Sequence, residues 1–123
     1  MTISNTVPWA YELASRYLRD LAARVPGRVR LEVIGRSAHG RDILGLAFGL
    51  EAGPPAVLVV SGEHATEFAG QHAVRGIVEF LASGEAEARR LRRELRFLVV
   101  PQVNPDGNIL ASMNRNATGA NLL

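Results

Sequence analysis

Apolar residues between Pro8 and about Ala23 fall at Ala10, Leu13, Ala14, Tyr17, Leu18 and Leu21, the spacing of one helical face. Thr6 is placed to cap this helix, Pro8 suits its first turn, and Pro26 and Gly27 end it. Val29, Leu31 and Val33 then alternate with Arg30 and Glu32, as in a strand with one wet face. Residues 35–42, GRSAHGRD, read as a turn into a second strand, Ile43 to Phe48, antiparallel to the first. Gly53, Pro54 and Pro55 mark another loop. AVLVV, residues 56–60, is apolar at every position, which predicts a central strand buried on both faces.

From about Glu67 to Ala82 the stripe Ala73, Val74, Ile77, Val78 and Leu81 predicts a helix with His72, Arg75 and Glu79 on its other side. Gly84 breaks it. Glu85 and Glu87 open a shorter helix that closes with Arg92, Arg93 and Arg96, an order of charge that suits the helix dipole. Phe97 to Val100 returns as a strand. Strand, helices, strand implies a parallel pair with a crossover, hence an α/β core: a mixed sheet with helices on both faces. Asn104, Pro105, Asp106 and Gly107 match a type I turn. The pattern thins over residues 113–123.

The chain has 123 residues, 47% of them hydrophobic, and a net charge of +2, which places it within one domain able to fold around a core. All fourteen basic residues are arginine, yet the small net charge implies no large nucleic-acid field. Without cysteine, a metal would have to be held by imidazole and carboxylate. The first residues lack the charged start and apolar core of a signal peptide, and no apolar run reaches membrane-spanning length; we therefore expect a cytoplasmic protein without membrane partners.

The candidate chemistry lies at 56–71, AVLVVSGEHATEFAGQ. Two residues separate His64 from Glu67, a spacing that lets both reach one metal ion just past a strand's C-terminal end, where open α/β sheets bind ligands. The same pair also reads as a loop histidine and a helix-starting glutamate. His72 is a third possible ligand, but it belongs to the polar side of its helix. Glu63 reads as a solvent or supporting contact, His39 as a surface turn residue, and Arg89, Arg90, Arg92, Arg93 and Arg96 as a solvated helix face rather than a phosphate site.

Several segments in order resemble the zinc carboxypeptidase family. YELASRYLRDLAARVP with IGRSAHGRDILGLAFG is similar to its opening helix and paired strands with a Ser-x-x-Gly-Arg turn. VLVVSGEHATEFAG resembles its His-x-x-Glu strand, PQVNPDG its Asn-Pro-Asp-Gly turn, and RNATGANL the approach to its Asp-Leu-Asn-Arg segment. The resemblance implies a zinc carboxypeptidase-like α/β/α fold, apparently truncated, with residues 1–123 forming the N-terminal portion of the catalytic domain.

It further implies that zinc is held by His64 and Glu67, that Arg115 stabilises the oxyanion, and that zinc-activated water cleaves a peptide or amide bond. The substrate would be a peptide or, in the related aspartoacylase and desuccinylase group, an N-acyl amino acid. No histidine follows His72 and no acidic residue follows Asp106, so the family's third ligand and general-base glutamate are expected outside this chain, which alone would be inactive. Asn121 and Leu123 replace the family's aspartate and substrate-binding asparagine, and Thr66 stands where digestive members carry arginine. A non-catalytic module is the competing class, and an incomplete sheet predicts self-association through its open edge.

Overall fold

The computed structural model describes residues 6–49 and 54–122, so Gly53 and Leu123 of the preceding section lie outside the described residues. The elements run α1 (Tyr11–Arg24), β1 (Val29–Arg36), β2 (Asp42–Phe48), β3 (Ala56–Val60), α2 (Phe68–Ala82), α3 (Ala86–Glu94), β4 (Arg96–Val100) and α4 (Pro105–Ile109). The four strands form a mixed sheet in the order β1-β2-β4-β3. β1 with β2 and β2 with β4 are antiparallel, while β3 and β4 are parallel, joined by the expected helical crossover. None of the described helices is long and apolar enough to cross a membrane.

One core holds these elements together. Leu18 and Leu21 of α1 and Val74, Val78 and Leu81 of α2 pack with Val29, Leu44, Leu46, Phe48 and Val99 of the sheet. Each fully buried aliphatic or aromatic side chain here contributes roughly 1.5–3 kcal/mol of transfer free energy. α1 and α2 are also tied at their outer edge, where the Tyr17 hydroxyl donates to Glu79 (3.1 Å) and the Arg75 guanidinium lies 4.8 Å above the Tyr17 ring.

Three boundaries differ from the sequence expectation, each for a tertiary reason. α1 begins at Tyr11 rather than Pro8, and Thr6 does not cap it. Ala10 is extended, and the Tyr11 amide instead donates to the Asn108 side chain at 2.9 Å, across 97 positions of sequence. Arg96 opens β4 rather than closing α3. Residues 104–107 are not only a turn: Asn104 Oδ1 accepts from the Gly107 amide (3.0 Å), and the helical geometry continues as α4.

β3 is the larger correction. It alternates in exposure instead of being buried throughout, and it lies at the border of the described sheet rather than in its centre, paired with β4 alone. The packed layer of α1 and α2 covers one face of the sheet, while the other leaves Leu58 at 64% and Val60 at 36% exposure. A uniformly apolar strand beside an unpaired edge predicts association between copies. Sedimentation of the 123-residue chain should show oligomers whose share grows with concentration and falls in Leu58→Lys; a stable monomer at high concentration would contradict this.

Candidate metal centre

β3 delivers the site. Beyond Val60 the chain stays zipped to the end of β4, with Ser61 N–H on the Val100 carbonyl (3.0 Å), Ser61 Oγ on the Pro101 carbonyl (2.7 Å) and Val103 N–H on the Ser61 carbonyl (3.1 Å). Gly62 follows at φ +79°, where a Cβ would sit 3.0 Å from both the Pro101 oxygen and the Gln102 Cα, so only glycine passes here without strain. The turn swings Glu63 and His64 over the sheet's end, and Glu67 immediately precedes α2.

His64 Nδ1 and Glu67 Oε1 are 3.0 Å apart, with the imidazole 25% and the carboxylate 66% exposed. They share the wall of a cleft of about 370 Å³ with Ser61, Gly62, Glu63 and Leu122. Because a carboxylate only accepts, Nδ1 carries the proton in this contact. One imidazole nitrogen and one carboxylate, touching and partly open to water, are donor types that zinc takes, two where a catalytic zinc usually has three protein ligands. Among the described residues no group of three potential ligands occurs. His72 is used elsewhere: its Nε2 is 2.9 Å from the Val7 carbonyl and its ring stacks on Trp9.

The loop that carries His64 is held by amide side chains. Gln71 Nε2 donates to the Ala65 carbonyl at 3.1 Å, Asn108 Nδ2 reaches the same oxygen at 3.4 Å, and Gln71 itself accepts from Gln102 Nε2 at 2.8 Å. The segment before Arg115 joins this loop directly, since the Ala65 amide donates to the Met113 carbonyl (3.1 Å). The Arg115 side chain is exposed and donates to the Gly119 carbonyl at 2.6 Å, within a turn closed by a bridge to Asn121. Thr66 lines an adjoining groove with Phe68 and Met113. A separate concavity of about 730 Å³ lies over the open sheet face near Ile34, Ala47, Leu58 and Leu98, and holds neither His64 nor Glu67.

Sequence reasoning missed the buried anchor beneath this site. Asp106, 2% exposed, accepts from Arg41 Nη1 (2.7 Å), Ser37 Oγ (2.8 Å) and the His39 amide (3.1 Å). Burial pushes its carboxyl up, but these hydrogen bonds, led by that from Arg41, outweigh it and hold the group below the ordinary aspartate range. The Ser37-to-Arg41 turn and the Asn104-to-Gly107 turn are therefore two halves of one cluster. His39 is exposed as expected, though its backbone is engaged. Of the arginines of α3, Arg90 pairs with Glu94 (2.7 Å) and Arg92 donates to the Ser83 carbonyl (3.1 Å).

Known proteins resemble this chain over most of its length. The chain is 34% identical over 92 residues to zinc carboxypeptidase A 1 of Anopheles gambiae, covering 74% of this chain and 21% of that protein. It is 32% identical over 101 residues to a protein of Ajellomyces dermatitidis named an inactive metallocarboxypeptidase, covering 76% of this chain and 17% of that one. The crystal structure of a metallo-carboxypeptidase from Burkholderia cenocepacia superposes with a TM-score of 0.84 at 29% identity, over 93% of this chain and 31% of that one. The chain spans 17% to 27% of the length of such curated relatives. The zinc carboxypeptidase family model itself matches residues 14–121, nearly the whole chain, and the chain therefore belongs to the zinc carboxypeptidase family.

Proposed function

We propose that this chain is the N-terminal portion of the catalytic domain of a zinc metallocarboxypeptidase-type hydrolase, which cleaves a C-terminal or similarly placed peptide or amide bond. The observation that carries this reading is the His64–Glu67 contact, 3.0 Å across one cleft, on a loop bonded to the segment leading to Arg115. His64 and Glu67 would hold the metal, and binding would displace the proton that now bridges them. Zinc, when bound, supplies a Lewis acid and brings the pKa of water to around 7.

The rest falls to the protein. Glu67 offsets part of the metal's charge and fixes the His64 ring. Arg115 donates to the oxygen that gains negative charge as the carbonyl is attacked; its exposed side chain leaves the Gly119 carbonyl by rotation about single bonds, without moving the core. The third ligand and the general base would come from further along the gene product. Alone, the 123-residue chain should bind zinc weakly and turn over no substrate.

Arg115→Ala in the zinc-loaded full-length gene product should lower kcat by about 10²–10³-fold, the usual loss on removing one oxyanion donor. Steady-state kinetics on a blocked dipeptide checks this. An unchanged kcat would remove Arg115 from the mechanism.

A further inference from the structure

Asn104 is buried, 3% exposed, and both its Nδ2 donors and its Oδ1 are engaged. Its Nδ2 donates to the Glu63 carbonyl and to the Arg115 carbonyl, each at 3.1 Å, and its Oδ1 accepts from the Gly107 amide at 3.0 Å. The orientation of the amide is fixed by its partners, because two carbonyls require donors and one N–H requires an acceptor. One side chain thus connects the peptide preceding His64 to the backbone of Arg115, reaching 41 positions back to Glu63 and 11 positions on to Arg115.

Space at this point is tight. A Cβ on Gly107 would run into the Asn104 amide and lie 2.9 Å from the Arg115 oxygen. The Asn104 link lies beside the Ala65–Met113 backbone bond, so the two segments are held at two points. The cluster of Asp106 with Arg41 and Ser37 immobilises the same turn from below.

Resting on the functional reading above, we infer that Asn104 is a positioning residue that sets the distance between the metal-binding loop and the oxyanion arginine. Charge stabilisation requires donors placed before the reaction, and a misplacement of about 1 Å can cost as much as 10²-fold in rate. Asn104 touches neither candidate ligand side chain and acts only through the backbone on which His64 and Arg115 ride. Its effect is therefore bounded by that of losing Arg115 itself.

The test uses the zinc-loaded full-length gene product. Asn104→Asp keeps the volume and the acceptor for Gly107 but replaces the double donor with an acceptor. Gly107→Ala keeps Asn104 and displaces it. Both should lower kcat by about 10- to 100-fold with KM within about twofold. In an Arg115→Ala background the further loss should shrink to under about threefold, because there is no guanidinium left to place.

Amide exchange at Ala65 should quicken in both variants while that of Val99 in the core is unchanged, a selectivity that general destabilisation does not produce. A kcat loss that persists in full without Arg115, or an Ala65 amide that exchanges as in the wild type, overturns the inference. If Arg115→Ala alone leaves kcat unaltered, the functional reading has failed instead, and the exchange at Ala65 then decides whether the link exists.

Discussion

Asp106→Asn should lower the unfolding free energy by about 3 kcal/mol, the loss typical of removing one partner from a buried ion pair. The carboxylate accepts three hydrogen bonds from the β1–β2 turn at 2.7 to 3.1 Å and is nearly inaccessible to water. Its replacement presents an NH₂ group to donors and leaves Arg41 without its counter-charge. Exposed pairs such as Arg19 with Asp42 are each worth under about 1 kcal/mol, so this site should dominate the chain's electrostatic stability. Urea unfolding of both proteins at matched, low concentration gives the difference.

The same group fixes a pH dependence. Asp106 titrates lower in the folded chain than in the unfolded one, so its contribution is fully present above the unfolded value, about 4, and disappears as pH falls through the folded value. The wild type should therefore lose stability in acid below about pH 4, and Asp106→Asn should lack that component. Parallel curves for the two proteins from neutral pH into acid would show that Asp106 is not held as the hydrogen bonds indicate.

His64→Ala should have the largest effect on activity. Removing one of the imidazole ligands leaves a metal site one donor short, so zinc should be lost on dialysis and kcat/KM should fall by at least about 10³-fold in the full-length gene product. Neither side chain belongs to the hydrophobic core, so the fold should tolerate the substitution. A far-ultraviolet spectrum and melting temperature like those of the wild type should accompany the loss. A His64→Ala protein that retains stoichiometric zinc and activity would mean that the metal is held elsewhere.

Much of this molecule could be read in its sequence because the relevant signals are local. The stripe with Val74, Val78 and Leu81 and the alternation of Val29 and Leu31 are periodicities within one element, and the structure places those residues in or against the core, whereas Ile77 and, beside the irregularity between Val33 and Gly35, Val33 are exposed. His64 and Glu67 are three positions apart, so their meeting needs only one turn of chain. What was not legible depends on distant partners. The start of α1 is set by Asn108, which no rule about Thr6 or Pro8 contains.

The uniform apolarity of Ala56 to Val60 says that both faces can be covered, not that a cover is present; in the described residues only one face has it. Asn104 and Asp106 fit a turn by themselves, and their larger roles appear only when Glu63 and Arg115 arrive beside Asn104, and Ser37 and Arg41, 65 or more positions upstream, beside Asp106. One signal was available: an aspartate within the Asn-Pro-Asp-Gly turn and an arginine following Gly40 are charges that a compact fold must either expose or pair.

Whether His64 and Glu67 are ligands of one catalytic zinc is decided by anomalous diffraction at the zinc edge from crystals of the full-length gene product. A single strong peak is expected about 2.0–2.2 Å from a His64 ring nitrogen and a Glu67 carboxylate oxygen, with one further protein ligand. Zinc bound at a site that includes neither side chain, or a zinc-saturated protein whose His64–Glu67 contact is unchanged, would contradict it.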